Sequence, residues 1–329
     1  MRDRESLDPP PFTQQQASRR SAWATVAAPP TDTLPALPAP SWATPAELAS
    51  APTYRRGLPP VPTTYGDLDR VLGGGLRPEC VYVLAGRTGS AKSTLAANIV
   101  RRVALDGLPV LYLKLEESTT EALWRLHAAA AQVDFRVLLD GAERADDEDR
   151  RKLADSWDLL RDLPIRLSGA RRLGEVERVC REHVAAGGGL VVLDQLSQVQ
   201  VPGADVGYER ATVASNTLRV LARELHVPIL AVSQVNRPAA KGKEHLSCHD
   251  LRDSGEIEND AAAVMLIDGV RKPEGPHYAG AELVLYLQLL VGKNRYGPTT
   301  DPERPIELLW WPRQCRIEGA ALDLEGLES

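Results

Sequence analysis

From Gly57 onward, short apolar runs alternate with stretches of helical spacing. Val81–Ala85 is a strand-length run that enters a glycine-rich turn, and Thr94–Val103 repeats its apolar residues at helical intervals. Val110–Leu115 reads as a second strand. Ser118-Thr119-Thr120-Glu121 is a capping box that opens a helix through about Ala131, because the serine and the glutamate can each satisfy a backbone N–H of the first turn. Helical patterns follow near 147–161, 173–186 and 208–225. Strands are predicted at Leu190–Leu193, Ile229–Ser233, Ala262–Ile267, Leu283–Leu290 and Ile306–Trp311. Leu190–Leu193 is continuously apolar, as a strand covered on both faces must be. Strands alternating with helices predict an α/β fold with a mostly parallel sheet and helices on both faces.

The first 56 residues break this rhythm. They are rich in proline and alanine, with Pro9-Pro10-Pro11, Pro29-Pro30, Pro35, Pro38, Pro40, Pro45 and Pro52, and bury too little apolar surface to offset ordering entropy. Within this tail, Thr44-Pro45-Ala46-Glu47 carries helix-start signals, which fit either a short linker helix at 45–51 or a disordered tail with an accidental cap. The expected organisation is a tail at 1–56, one large domain at 57–315 and a second tail at 316–329.

Composition narrows the classes. The 329 residues are 43% hydrophobic and 26% charged, with ample material for a core, and no apolar run approaches a membrane span. The absence of a cationic-then-apolar N-terminal segment predicts a cytoplasmic chain. Cys80, Cys180, Cys248 and Cys315 have no paired spacing, which argues for scattered reduced thiols rather than a zinc ribbon. The formal charge of −6 leaves no global basic footprint, although a channel lined with cations needs only a local field to meet phosphate.

The chemistry begins at Gly86-Arg87-Thr88-Gly89-Ser90-Ala91-Lys92-Ser93, followed by Thr94, between a strand and a helix. Backbone N–H groups at a helix N-terminus point at an anion there and the helix dipole favours negative charge. Lys92 is expected at the terminal phosphates of ATP and Ser93 on Mg²⁺. Ala91 stands where the phosphate-loop pattern has its second glycine; if that position needs a positive φ, alanine costs on the order of 1–2 kcal/mol. Asp194 ends the strand Leu190–Leu193, where a metal-orienting carboxylate belongs. Glu116 ends Val110–Leu115 at the same sheet edge, where it can polarise an attacking water.

These residues resemble the C-terminal motor domain of bacterial DnaB-type replicative helicases over roughly Val61 to Trp311. Pro62-Thr63-Thr64-Tyr65 and Leu68-Asp69 are similar to that family's opening strand and helix. Leu115-Glu116-Glu117-Ser118 resembles the stretch carrying its catalytic glutamate, and Val192-Leu193-Asp194-Gln195-Leu196 its Walker B strand. Ser233-Gln234-Val235-Asn236-Arg237 resembles its Ser-Gln-Leu-Asn-Arg motif, which implies that Gln234 senses the γ-phosphate. The run from Asp250 to Ala261 is similar to the family's DNA-loop signature, which makes Arg252, Asp253 and Gly255 candidates for single-stranded DNA phosphates. Arginine and a backbone N–H can both donate there, while Asp253 has only its N–H to offer. Read without the resemblance, the same stretch is a charged surface loop with an internal Arg–Asp pair.

Lys293-Asn294-Arg295-Tyr296-Gly297-Pro298-Thr299 matches the family's basic finger. Lys293 and Arg295 lie two apart on a strand and share a face. The resemblance implies that they reach a neighbouring subunit's γ-phosphate; alone they are an exposed basic pair. It further implies a RecA-like P-loop core, DNA-stimulated ATP hydrolysis, single-stranded DNA as partner and a homo-oligomer in the form of a hexameric ring. The family usually carries a helical N-terminal domain that contacts primase; with only the proline-rich tail read ahead of the motor, loader and primase partners are left unassigned. Asp69–Gly75 and Glu116-Glu117-Ser118 also resemble RadA-type RecA relatives. A recombination motor, or an ATP-binding loading factor with weak hydrolysis, are therefore the competing expectations.

Overall fold

The computed structural model describes residues 58–141, 145–204, 207–235, 245–251, 254–271, 278–279 and 282–320. The proposed helix at 45–51, Asn236, Arg237, Arg252 and Asp253 lie outside them. In chain order the main elements are α1 (Gly66–Val71), β1 (Val81–Gly86), α2 (Lys92–Leu105), β2 (Val110–Lys114), α3 (Thr119–Ala131), α4 (Phe135–Leu139), α5 (Asp147–Leu160), β3 (Ile165–Ser168), α6 (Leu173–Ala185) and β4 (Leu190–Asp194). They continue with α7 (Gly207–Leu225), β5 (Ile229–Gln234), α8 (Ser254–Asp260), β6 (Ala263–Arg271), a small hairpin of β7 (Tyr278–Ala279) and β8 (Glu282–Leu283), then β9 (Leu285–Asn294), β10 (Ile306–Trp311) and β11 (Arg316–Gly319).

Nine strands form one sheet in the order β11-β10-β9-β6-β1-β5-β4-β2-β3. From β6 to β3 all neighbours run parallel; β9, β10 and β11 extend the sheet antiparallel beyond β6. Every residue of β1, β2 and β4 is buried, as central parallel strands with helices on both sides require. Side chains alternate between two cores: Tyr82 and Leu84 of β1 pack with α1, α2 and α3, while Val81, Val83 and Ala85 pack with α6, α7 and α8.

The helices form where local chemistry starts them. The Ser118–Glu121 capping box is present at α3, and Asp146 caps α5 ahead of three acidic first-turn residues. The predicted strands are all present within a few residues; Leu283–Leu290 is broken at Val284 and its second part runs on to Asn294.

The C-terminal boundary needs correction. Arg316–Gly319 are not tail but β11, paired antiparallel with β10. Ile317 is fully buried, its carbonyl accepts from the Tyr65 hydroxyl at 3.0 Å, and Asn98 of α2 donates to the Cys315 carbonyl at 2.8 Å. Arg102 of α2 pairs with Glu318. A strand this short, with charged residues flanking one isoleucine, has no apolar run to announce it.

Candidate functional site

The loop from Gly86 to Ala91 joins the end of β1 to the first turn of α2. It is built on special backbone geometry. Gly89 has φ 79°, and Ala91 has φ 64° and ψ 20°, the left-handed region. The condition attached to Ala91 is therefore met: an L side chain sits where glycine carries no penalty. Gly86 is required for space, since an added Cβ would stand 2.6 Å from Ser90 Oγ and 3.1 Å from the Ile267 carbonyl oxygen. Lys92 Nζ donates to the Arg87 carbonyl at 2.7 Å, and Arg87 itself donates to the Asp268 carbonyl at 2.9 Å.

Parallel register brings the other residues to the same edge. Gly86 lies beside Gln234, and Lys114 beside Asp194, at the carboxyl ends of adjoining strands. Burial pushes the Lys92 ammonium down from the usual lysine range, and the carboxylates of Asp194 and Glu116 pull it partly back. Lys92, Asp194 and Glu116 thus share one electrostatic neighbourhood. Glu116 is exposed, whereas Asp194 is fully buried. Gln234 Nε2 donates to Gln195 Oε1 at 3.1 Å, which ties the ends of β5 and β4 together.

The adjacent Glu117 is engaged differently. Burial raises its carboxyl, but hydrogen bonds from Arg125 and the charge of Lys114 hold it below the usual carboxylate range. Arg125 grips it at 2.7 and 3.0 Å. Of the two glutamates, Glu116 alone is left open to solvent-borne chemistry. Lys114, a buried lysine that pairs with Asp194, was not anticipated; its only signal is a charge at the end of the apolar run Val110–Leu113.

The site fits a hydrated divalent cation with a polyphosphate. Asp194 Oδ1 and Ser90 Oγ are buried and lack a hydrogen-bond partner, and Ser93 offers a hydroxyl on the first turn of α2. All are hard oxygen donors of the kind Mg²⁺ takes alongside water and phosphate.

Lys293 and Arg295 are not brought to this cluster. β9 runs antiparallel to β6, so Asn294 pairs with Ala263, which pairs in turn with Tyr82 near the start of β1. Gly86 pairs with Ile267, four residues further along, so the two rows are roughly 13 Å apart along the strands. The basic pair lies at the opposite edge from its own phosphate loop. There Lys293 Nζ donates to the carbonyls of Glu258 and Asn259, and Arg295 reaches the Asn259 carbonyl at 3.5 Å. Burial and the neighbouring Arg295 both lower the Lys293 ammonium. The turn is held in place by Asn294, whose amide donates to the Val71 carbonyl at 2.8 Å.

Gly255 is exposed near the start of α8. A Cβ there would meet nothing within 4 Å and its φ is not positive, so the fold itself does not demand glycine. The helix is anchored at its far end, where Asp260 takes Arg219 at 2.8 Å and the Ser215 hydroxyl at 3.1 Å, both from α7.

A phosphate loop between β1 and α2, with an acid at the end of the neighbouring-but-one strand of a mostly parallel sheet, defines a RecA-like P-loop core. The model of the DnaB-like helicase C terminal domain matches residues 60–315, and the chain belongs to that family. It is 32% identical over 248 residues to the replicative DNA helicase DnaB of Leifsonia xyli subsp. xyli, covering 73% of this chain and 52% of that protein. It is 30% identical over 264 residues to the same helicase of Pasteurella multocida, covering 77% and 54%. The chain thus spans about half the length of the curated relatives it matches. The ATPase domain of G40P superposes with a TM-score of 0.68 at 19% identity, covering 79% of this chain and 90% of that one. A DnaB-like replicative helicase, solved in a study of its interactions with primase, gives the same score and identity over 78% and 61%. No helix among the described residues is long and apolar enough to cross a membrane.

Proposed function

We propose that this chain is a DNA-stimulated ATP hydrolase of the DnaB-like helicase type. It assembles as a ring, a hexamer by its family resemblance, and moves along single-stranded DNA in the cytoplasm. The observation that carries this reading is the division of the site between two sheet edges. Lys92, Ser93, Asp194, Glu116 and Gln234 converge on one edge, while Lys293 and Arg295 sit on the other, too far to serve their own phosphate loop. A second copy must bring the missing cations.

In this reading the loop N–H groups from Thr88 to Thr94 cradle the phosphates and Lys92 moves from the Arg87 carbonyl onto the terminal phosphates. Ser93 and Asp194 would hold a hydrated Mg²⁺, which would supply charge neutralisation at the phosphates. Glu116 orients water and accepts its proton. Gln234, held by Gln195, reads whether the γ-phosphate is present. Lys293 and Arg295 of the adjoining copy stabilise the charge that develops in the transition state. Gly255, with Arg252 and Asp253, offers backbone and guanidinium donors to the DNA phosphates.

The test is ATP hydrolysis by the purified chain with and without single-stranded DNA, beside a native mass measurement with nucleotide and a strand-displacement assay. DNA-stimulated turnover by an oligomer that separates strands is expected. Turnover without strand displacement at any assembly state removes the unwinding claim. The left-handed Ala91 favours a second reading, an ATP-binding loading factor with weak hydrolysis. Near-zero turnover that Ala91→Gly rescues selects it.

A further inference from the structure

Lys114 closes β2 with 1% of its side chain exposed, in the interior of a sheet where ammonium groups are rare. Its Nζ pairs with Asp194 Oδ2, stands 3.3 Å from Glu117 Oε2 and lies 5.8 Å from the centre of the Tyr112 ring. The Tyr112 hydroxyl donates to the same Asp194 oxygen at 3.3 Å. Both contacts fall on Oδ2, and Oδ1 is the oxygen left without a partner. Burying an ammonium is costly unless it is well paired, so the cluster is a deliberate feature of this strand end.

Its charges also balance. Lys114 and Arg125 face Asp194 and Glu117, two cations against two anions, joined by ion pairs of 3.3 Å between Lys114 and Glu117 and 2.7 Å between Arg125 and Glu117. Lys92 and Glu116 add one charge of each sign. The carboxylate expected to orient the metal therefore presents a free oxygen without presenting net negative charge. A dication gains little by entering such a site alone, because Coulomb attraction depends on the whole set of nearby charges.

We infer that Lys114 is a positioning residue, an internal counter-ion that turns Asp194 so that only Oδ1 is offered and makes metal binding conditional on the nucleotide. The triphosphate brings the negative charge that the protein has cancelled, so metal and nucleotide enter together. This inference rests on the proposed reading that the site takes a Mg²⁺-bound triphosphate.

The experiment uses the full chain with Lys114→Met and Lys114→Arg. Mn²⁺ binding without nucleotide is followed by electron paramagnetic resonance, and the affinity for a fluorescent ATP analogue is followed as Mg²⁺ is titrated. The wild type is expected to show no saturable Mn²⁺ site without nucleotide. In K114M, Asp194 loses its paired ammonium and the cluster gains a net negative charge, so a nucleotide-free Mn²⁺ site appears and the Mg²⁺ midpoint for nucleotide binding falls about tenfold. K114R keeps the charge and should stay within about threefold of wild type. A saturable Mn²⁺ site in the nucleotide-free wild type overturns the inference, and that arm decides even if K114M does not fold. An unchanged Mg²⁺ midpoint in folded K114M also overturns it, while nucleotide binding itself persists. Loss of nucleotide binding by the wild type at every Mg²⁺ concentration instead removes the underlying reading, and the inference with it.

Discussion

The two edges of the central sheet carry opposite kinds of construction. At the carboxyl edge, around Gly86, Asp194 and Glu116, catalytic-type groups crowd together, with a buried carboxylate already paired and a loop in left-handed backbone. At the amino edge, Lys293 and Arg295 face no carboxylate at hydrogen-bond distance among the described residues and rest on backbone carbonyls at the end of α8. On the proposed reading, one edge is nearly a complete phosphate site and the other a donor of charge to a neighbour. Such asymmetry is what a head-to-tail ring requires, since each copy then presents a different edge to each neighbour.

The sharpest way to break the comparison is to disable the edges separately. Lys92→Ala should cut kcat by about a thousandfold, because the proposed reading gives its ammonium the terminal phosphates to neutralise. Arg295→Ala should cost on the order of a hundred- to a thousandfold, as removal of one donor that stabilises transition-state charge does. Mixing the two inactive variants should restore part of the ATPase rate, measured by phosphate release, since mixed rings contain some boundaries with both halves intact. No recovery in mixed oligomers would place the finger's action within its own chain.

Scaffold sensitivity should lie away from both edges. His183 of α6 is buried, takes a hydrogen bond from Arg166 at Nδ1 over 2.8 Å, and has its imidazolium pushed down to about 4, mainly by burial and then by the Arg166 charge. The folded value lies below the unfolded one near 6.5. The contribution is therefore complete above pH 6.5, declines as pH falls towards 4, and amounts to a loss on the order of 3 kcal/mol. Urea melts at pH 7 and pH 4.5 should show this loss in wild type and much less of it in His183→Gln. The smallest effect belongs to Ala91→Gly, which relieves the left-handed alanine and should stabilise the chain by about 1 kcal/mol in the same melts. An unchanged or lower stability would mean that the loop is not strained at that point.

Much of the carboxyl edge was legible because it is written locally. β1, the loop and α2 are consecutive, and a strand-length apolar run that ends in an acid marks both Glu116 and Asp194. The condition on Ala91 follows from the motif, whereas its left-handed φ is a property of the folded loop. The amino edge was not legible in the same way. Strand spacing puts Lys293 and Arg295 on one face, but β9 ends at Asn294 and Arg295 lies in the turn beyond it, and which sheet edge they occupy depends on β9 running antiparallel beside β6. Lys114 escaped because a lysine at a strand end ordinarily points to water, and its pairing with Asp194 arises from the register of β2 on β4. β3 and β11 escaped because edge strands of four residues, half exposed, carry no periodic run.

The contact between Lys293 and α8 has a mechanical side. That helix begins beside Gly255 and ends at the carbonyls of Glu258 and Asn259, which the lysine satisfies. Helix-terminal carbonyls that lose a donor must find another or loosen the last turn. If, as proposed, the ammonium swings outward to meet a neighbour's phosphate, the short helix that begins beside Gly255 keeps only its Asp260 anchorage to α7 at the other end. On the proposed reading, hydrolysis at one boundary would thus loosen the Gly255 end of the adjoining copy, with no longer-range lever needed.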